Sequence, residues 1–144
     1  MADEKLEDVL YYLVNKANKV ARRYSQEAFT KAGFDITIDQ WLVLKKISDA
    51  ERINQAELAE SVFKDTASIT RILQLLVKKK LVKKDYKEND KRHFLLSLTP
   101  KGAQYFKQIL TLVKTIRQQG TLNFSDSEKD SIKRLLLKMI GNFQ

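Results

Sequence analysis

Cysteine is absent from the 144 residues, proline occurs once, glycine four times and histidine once. Without cysteine there is no disulfide framework, no thiolate metal site and no thiol-based redox switch. A zinc site needs several Cys or His ligands, and a lone His93 cannot supply them. The glycines stand apart at 33, 102, 120 and 141, so no Gly-rich phosphate loop exists. Nucleophilic catalysis would need an activated Ser, Cys or Lys beside a base, and no such grouping is legible. The reading is therefore not an enzyme, with no metal and no cofactor. Scarce turn residues also exclude an all-β fold, which uses Gly and Pro freely, and favour a mainly helical chain with short links.

Long apolar runs are missing too. No stretch nears the ~18 consecutive apolar residues of a membrane span. The opening residues Met1-Ala2-Asp3-Glu4-Lys5 lack the basic patch and apolar run of a signal peptide. The expectation is a cytoplasmic protein that makes no use of a membrane.

What the chain does have is positive charge and helical periodicity. Its formal net charge is +9, with 43% hydrophobic and 31% charged residues, the balance of one soluble globular domain. Such a surplus calls for a polyanionic partner or serves solubility, and only the placement of the charges can decide.

From Leu6 to Phe29 apolar residues recur at three-and-four spacing: Leu6, Val9, Leu10, Leu13, Val14, Ala17, Val20, Ala21, Tyr24 and Ala28. A helix of that length cannot hide its whole stripe in so small a domain, so part of it is expected to meet another subunit. Gly33 breaks it. Thr37-Ile38-Asp39-Gln40 then reads as a capping box, with Ile36 and Trp41 as hydrophobic staple. Asn54-Gln55-Ala56-Glu57 repeats the pattern, with Ile53 and Leu58 as staple. Asp65 is the expected cap of a helix from Thr66 to Lys79 whose buried stripe is Ile69, Ile72, Leu73, Leu76 and Val77. Three helices starting near 38, 55 and 66 on very short links have the helix–turn–helix layout.

Leu81–Tyr86 and His93–Leu98 are strand-like runs around the polar segment Lys87–Arg92, a β-hairpin with a charged tip. Thr99-Pro100 opens a further helix, cap followed by Pro at the first helical position. Its stripe is Ala103, Phe106, Ile109, Leu110, Val113 and Ile116. Ser125-Asp126-Ser127-Glu128 is one more capping box, for a last helix carrying Ile132, Leu135, Leu136, Met139 and Ile140.

The basic residues cluster. Arg71, Lys78, Lys79, Lys80, Lys83, Lys84, Lys87, Lys91 and Arg92 fall on the third helix of the cluster and on the hairpin. The start of that helix carries Thr66, Ser68, Thr70 and Arg71. Small hydrogen-bonding residues allow close approach to a major groove, and Arg can fork onto a guanine edge. At the hairpin tip, Asp90 stands two residues before Arg92, where it can hold the guanidinium by a charge-assisted bond. An Arg prepositioned on a protruding loop suits a narrow minor groove. A solvated helix face and a tip charge kept for solubility are the competing readings of these two features.

Phe34–Leu44, Asn54–Ala59, Ser68-Ile69-Thr70-Arg71, Asp90-Lys91-Arg92 with Leu98-Thr99-Pro100-Lys101-Gly102, and Phe124–Glu128 resemble, in order and spacing, the successive segments of MarR-type regulators. The likeness spans almost the whole chain. It implies a mainly α fold: a winged helix–turn–helix with a two-stranded β-wing, flanked by N- and C-terminal dimerisation helices. Within a single MarR-type domain over 1–144, residues 34–100 would be the DNA-binding lobe, and 1–33 with 101–144 the dimerisation part. The implied function is a sequence-specific, double-stranded DNA-binding transcription regulator, a ligand-responsive repressor acting as a homodimer on a pseudo-palindromic operator. By the same resemblance Thr66, Ser68, Thr70 and Arg71 face the major groove. Arg92 is the minor-groove residue with Asp90 orienting it, and Lys87 and Lys91 sit on phosphates. A small aromatic compound is the implied type of effector, and Tyr11, Tyr12, Tyr24 and Trp41 lie on helices bordering the family's ligand crevice. Aromatics at helical spacing equally read as core.

Two departures stand out. The family usually has Gly before its first wing strand, where this chain has Lys80; a left-handed residue there would cost Lys80 about 1 kcal/mol. Redox-sensing members use Cys, and this chain has none. One alternative stays open: a winged-helix module that binds RNA or a protein partner without specific DNA recognition.

Overall fold

The structure, a computed structural model, describes residues 2–144, and of Lys91 the backbone alone. A single 3-10 turn, Leu6–Asp8, precedes six helices: α1 (Leu10–Lys31), α2 (Ile38–Ala50), α3 (Gln55–Ser61), α4 (Thr66–Lys78), α5 (Pro100–Gly120) and α6 (Asp126–Asn142). Between α4 and α5 lies one antiparallel pair, β1 (Val82–Lys87) and β2 (Asp90–Leu98). The expected order of elements is therefore present. The chain divides within α5 into two compact units, Met1–Leu112 and Val113–Gln144.

In the first unit α2, α3 and α4 enclose a core of Trp41, Val43, Leu44, Ile47, Leu58, Ile69, Leu73 and Leu76, all buried. The hairpin closes it with Leu81, Val82 and Leu96, also buried. Trp41 stacks on Phe106 of α5, rings 5.1 Å apart and 8° from parallel. Both staple pairs, Ile36 with Trp41 and Ile53 with Leu58, are buried. Residues of each pair so placed fix how the chain enters α2 and α3.

The caps form largely as the side-chain chemistry dictates. Thr37 Oγ1 accepts from the Gln40 amide at 3.1 Å while Gln40 returns a bond to the Thr37 amide. Ser125 and Glu128 make the same reciprocal box on α6, in the second unit. At α3 the reciprocity differs. Asn54 accepts from the Glu57 amide, but the Glu57 carboxylate takes the Asn54 side-chain amide, because Asn carries its own donor. Thr99 accepts from the Gly102 amide at 2.9 Å, capping α5.

Three differences from the sequence reading matter. The first helix begins at Leu10, since Val9 is extended after the 3-10 turn. Ile53 pairs with Leu96 in an isolated bridge, through bonds of 3.1 and 2.8 Å, so the α2–α3 link holds the wing from the side. The hairpin tip is a two-residue turn at Glu88 and Asn89, not a six-residue loop, because pairing continues to Lys87↔Asp90. Tyr86 pairs with Phe94, so Lys91, Arg92 and His93 have no opposite number on β1 and form a bulge.

Candidate nucleic-acid interface

α4 turns Ile69, Leu73 and Leu76 into the core and leaves Thr66, Ala67, Arg71, Gln74 and Lys78 exposed. Its N-terminus is fixed by Asp65, whose carboxylate accepts from the Ser68 amide at 2.8 Å and the Ser68 hydroxyl at 2.9 Å. These bonds hold the Asp65 carboxyl below its ordinary range. Thr66 and Arg71 therefore stand on the open face as expected. Ser68 and Thr70 are only half-exposed, and both hydroxyls are engaged within the chain. Ser68 Oγ sits 3.4 Å from the Arg71 guanidinium. Thr70 Oγ1 donates to the Thr66 carbonyl at 2.9 Å and accepts from Gln55 Nε2 at 2.8 Å. The two residues brace the open face: Ser68 sits beside Arg71, and Thr70 ties α3 to α4.

Ala67 and Gln74 belong to that face although the sequence reading passed over them. Their signal was available. Both fall a helical turn from Arg71, on the side opposite the apolar stripe, and a Gln can grip adenine bidentately.

The wing bulge is organised by one carboxylate. Asp90 Oδ1 accepts from the backbone amide of Arg92 at 2.8 Å, and Asp90 Oδ2 takes His93 Nδ1 at 2.6 Å. The imidazole bond first, then the Arg92 amide, holds the Asp90 carboxyl below its ordinary value. Asp90 was expected to grip the Arg92 guanidinium. It grips the backbone beneath it instead, because a bulge puts the i+2 amide within reach of a carboxylate as in an Asx turn. The guanidinium is left to project with Lys87 from a groove of about 390 Å³ between the start of α3 and β2, lined also by Asn54, Gln55 and His93. The Lys91 side chain, expected on a phosphate, lies outside the described residues.

Between Lys64 and Lys101 eleven Lys and Arg stand against four Asp and Glu, seven of the nine net positive charges of the chain. Some of them are spoken for. Lys79 reaches Asp35, and Lys84 lies over the Phe94 ring at 4.7 Å. Lys64 pairs with Asp39 at 3.0 Å, and Arg22 of α1 reaches the same carboxylate at 2.7 Å. Partial burial pushes the Asp39 carboxyl upward, but these two cations outweigh it and hold it low. No ion pair among the described residues takes up Arg71, Lys87 or the Arg92 guanidinium. The open cations lie on α4 and the wing.

The MarR family model matches residues 36–94, the stretch from the start of α2 into β2. A Cys-to-Ser mutant of E. coli MarR, solved in complex with operator DNA, is 32% identical to this chain with a TM-score of 0.81, covering 96% of this chain and 99% of that one. This chain belongs to the MarR family. Two other members are the regulator MgrA of Staphylococcus aureus, 26% identical over 95% of this chain and 90% of its own length, and SarZ of Staphylococcus epidermidis, 29% identical over 93% and 83%. Bordetella bronchiseptica BpsR, whose DNA binding is regulated by 6-hydroxynicotinic acid, shares the fold at 20% identity and a TM-score of 0.83. As a MarR-family protein the chain is a transcription regulator and not an enzyme. Its winged helix matches the family architecture, with Lys80 at φ 62° in the left-handed conformation usually taken there by Gly.

Proposed function

We propose that this MarR-type regulator binds a pseudo-palindromic duplex operator as a two-fold dimer. The observation that carries the reading is the pairing of an open, acid-free α4 face (Thr66, Ala67, Arg71, Gln74) with a wing that projects Lys87 and the Arg92 guanidinium. α4 enters the major groove and Arg71 reads base edges. The wing follows the backbone to the minor groove, where Arg92 inserts and Lys87 and Lys91 neutralise phosphates. E. coli MarR, 32% identical, has been solved on operator DNA. A regulator of duplex operators would work in the cytoplasm, and no helix among the described residues is long and apolar enough to cross a membrane.

The dimer rests on the apolar faces that one chain leaves open. On α1 Leu10, Leu13, Val14 and Val20 are exposed, and on α6 Ile132, Leu135 and Ile140. Contiguous apolar stripes of this kind mark an interface. A second copy covers them, with residues 1–33 and 101–144 as the dimerisation part and 34–100 as the reading lobe.

In this reading repression is relieved by a small aromatic molecule, and oxidation sensing by a thiol plays no part in a chain without cysteine. Trp41 is core and takes no part, whereas Tyr11 and Tyr24 are exposed. A concavity of about 470 Å³ beside the α1–α2 link, lined by Thr30, Phe34, Leu75 and Lys79, offers the space. Such a ligand acts only through its differential affinity for two spacings of the reading lobes.

Selecting duplexes from a random library and footprinting the winners tests the function. A palindromic consensus bound by a dimer is the expected result. Equal affinity for all duplexes, or a preference for RNA, would contradict it.

A further inference from the structure

The turn between α3 and α4 holds an aromatic residue in a place that suits it badly. α3 ends in a Schellman arrangement: the Lys64 amide donates to the Ala59 carbonyl at 3.0 Å and the Phe63 amide to the Glu60 carbonyl at 3.3 Å. Phe63 occupies the position after the cap, at φ 58°, the left-handed region that glycine fills without strain. Gly33 does so after α1, at φ 83°. Phe63 gains nothing from the fold in return, since it is 94% exposed. Among the described residues it is the only exposed large apolar side chain between Tyr24 and Tyr86. Strain without burial points to a contact outside the chain.

The position narrows the partner. Phe63 lies two residues before Asp65, the cap of α4, and three before Thr66, the first residue of its open face. Three residues span at most ~11 Å of extended chain, so the ring stays within a few base-pair steps of whatever Thr66 approaches. A protein partner would need an apolar core of several residues to form a stable interface. Here the flanking Glu60, Ser61 and Asp65 are polar and exposed. A single ring suffices, by contrast, for the C5-methyl of thymine, which protrudes into the major groove and is read by apolar contact, Phe included.

Resting on the DNA-binding reading above, we infer that Phe63 is a specificity-determining residue that packs on a thymine methyl at the edge of each half-site. The turn thereby adds an A·T preference beside the bases read by Arg71. Two changes probe it together on the full-length protein. Phe63→Gly removes the ring and relieves the left-handed strain. Replacing each operator thymine by uracil in turn removes one methyl and leaves base pairing intact. The wild type should lose about fourfold in affinity per critical methyl, the worth of one buried carbon, at one symmetry-related position. Phe63→Gly should melt higher than the wild type, bind the operator more weakly by a similar factor per half-site, and be indifferent to that same uracil. Random-duplex affinity should not change. A Phe63→Gly protein with wild-type operator affinity, or one equally sensitive to every uracil, overturns the inference while DNA binding stands. A wild type with no operator preference overturns the DNA-binding reading, and this inference with it.

Discussion

Of the five non-glycine residues at positive φ among those described, Glu51, Phe63, Lys80, Asn89 and Asn123, Lys80 differs from Phe63 in what the fold gives back. Lys80 follows the cap of α4 at φ 62°, its amide bonded to Val77 and the next amide, of Leu81, bonded to Leu76. Its carbonyl also accepts from the Thr99 hydroxyl at 2.6 Å, so the backbone path is fixed from two sides. Lys80→Gly should therefore keep the path and raise stability by up to about 1 kcal/mol, read from the unfolding of Trp41 fluorescence in urea. The same change removes a cation beside the wing, so affinity for random DNA should fall slightly as stability rises. The departure at Lys80 was visible in the sequence, because a family pattern and a known conformational cost met at one residue. The role of Asp90 was only half visible. Two residues of spacing allowed a side-chain pair or a backbone turn, and only the bulge between Tyr86 and Lys87 selects the second. Asp90→Ala should then loosen the Arg92 backbone and weaken binding to every duplex, although it removes a negative charge from the wing. Acidification should act likewise, because the Asp90 carboxyl is held low: its bonds persist above the ordinary carboxylate range and fail as pH falls through the lowered value.

Among the elements, the join between wing and α5 leaves no room for a side chain at Gly102. A Cβ built on Gly102 would stand 1.9 Å from the Leu81 carbonyl oxygen, a backbone atom that cannot step aside. Gly102→Ala should destabilise by more than about 2 kcal/mol through overpacking, with loss of soluble protein or a clear drop in melting temperature. Nothing in the local sequence foretold this, since Gly102 is helical and its restriction comes from a residue 21 positions earlier. The Ile53–Leu96 bridge was hidden for the same reason. Caps and stripes were legible because their partners lie within one helical turn, whereas bulge and bridge depend on register. A second join links α1 to the helix cluster: Asp39, at the start of α2, holds Arg22 of α1 and Lys64 of the α3–α4 turn. The pair is partly exposed, so Asp39→Asn should cost about 1 kcal/mol at neutral pH. Because the folded carboxyl is depressed, that cost should shrink as pH falls below about 4 and the wild type protonates as well. A constant difference between the two proteins from pH 7 to pH 3 would show that the ion pairs contribute nothing.

At the scale of the whole molecule, the open apolar faces of α1 and α6 and the basic reading head ask for two different partners. Sedimentation at micromolar concentration should give the mass of a dimer, and Leu13→Lys with Val20→Lys should reduce it to a monomer that no longer retains operator DNA. Symmetry then places two copies of α4 one helical turn apart on the duplex, ~34–36 Å. In the proposed function helix and wing divide the work, α4 reading bases and the wing gripping the backbone. Operator and random-duplex affinities of the wild type, Arg71→Ala and Arg92→Ala across a salt series separate the two roles. Arg71→Ala should lose ~1–3 kcal/mol on the operator and far less on random DNA. Arg92→Ala should weaken both and flatten the salt dependence by about one counterion per subunit. If Arg92→Ala is silent, or Arg71→Ala weakens all duplexes alike, the division of labour between α4 and the wing is wrong.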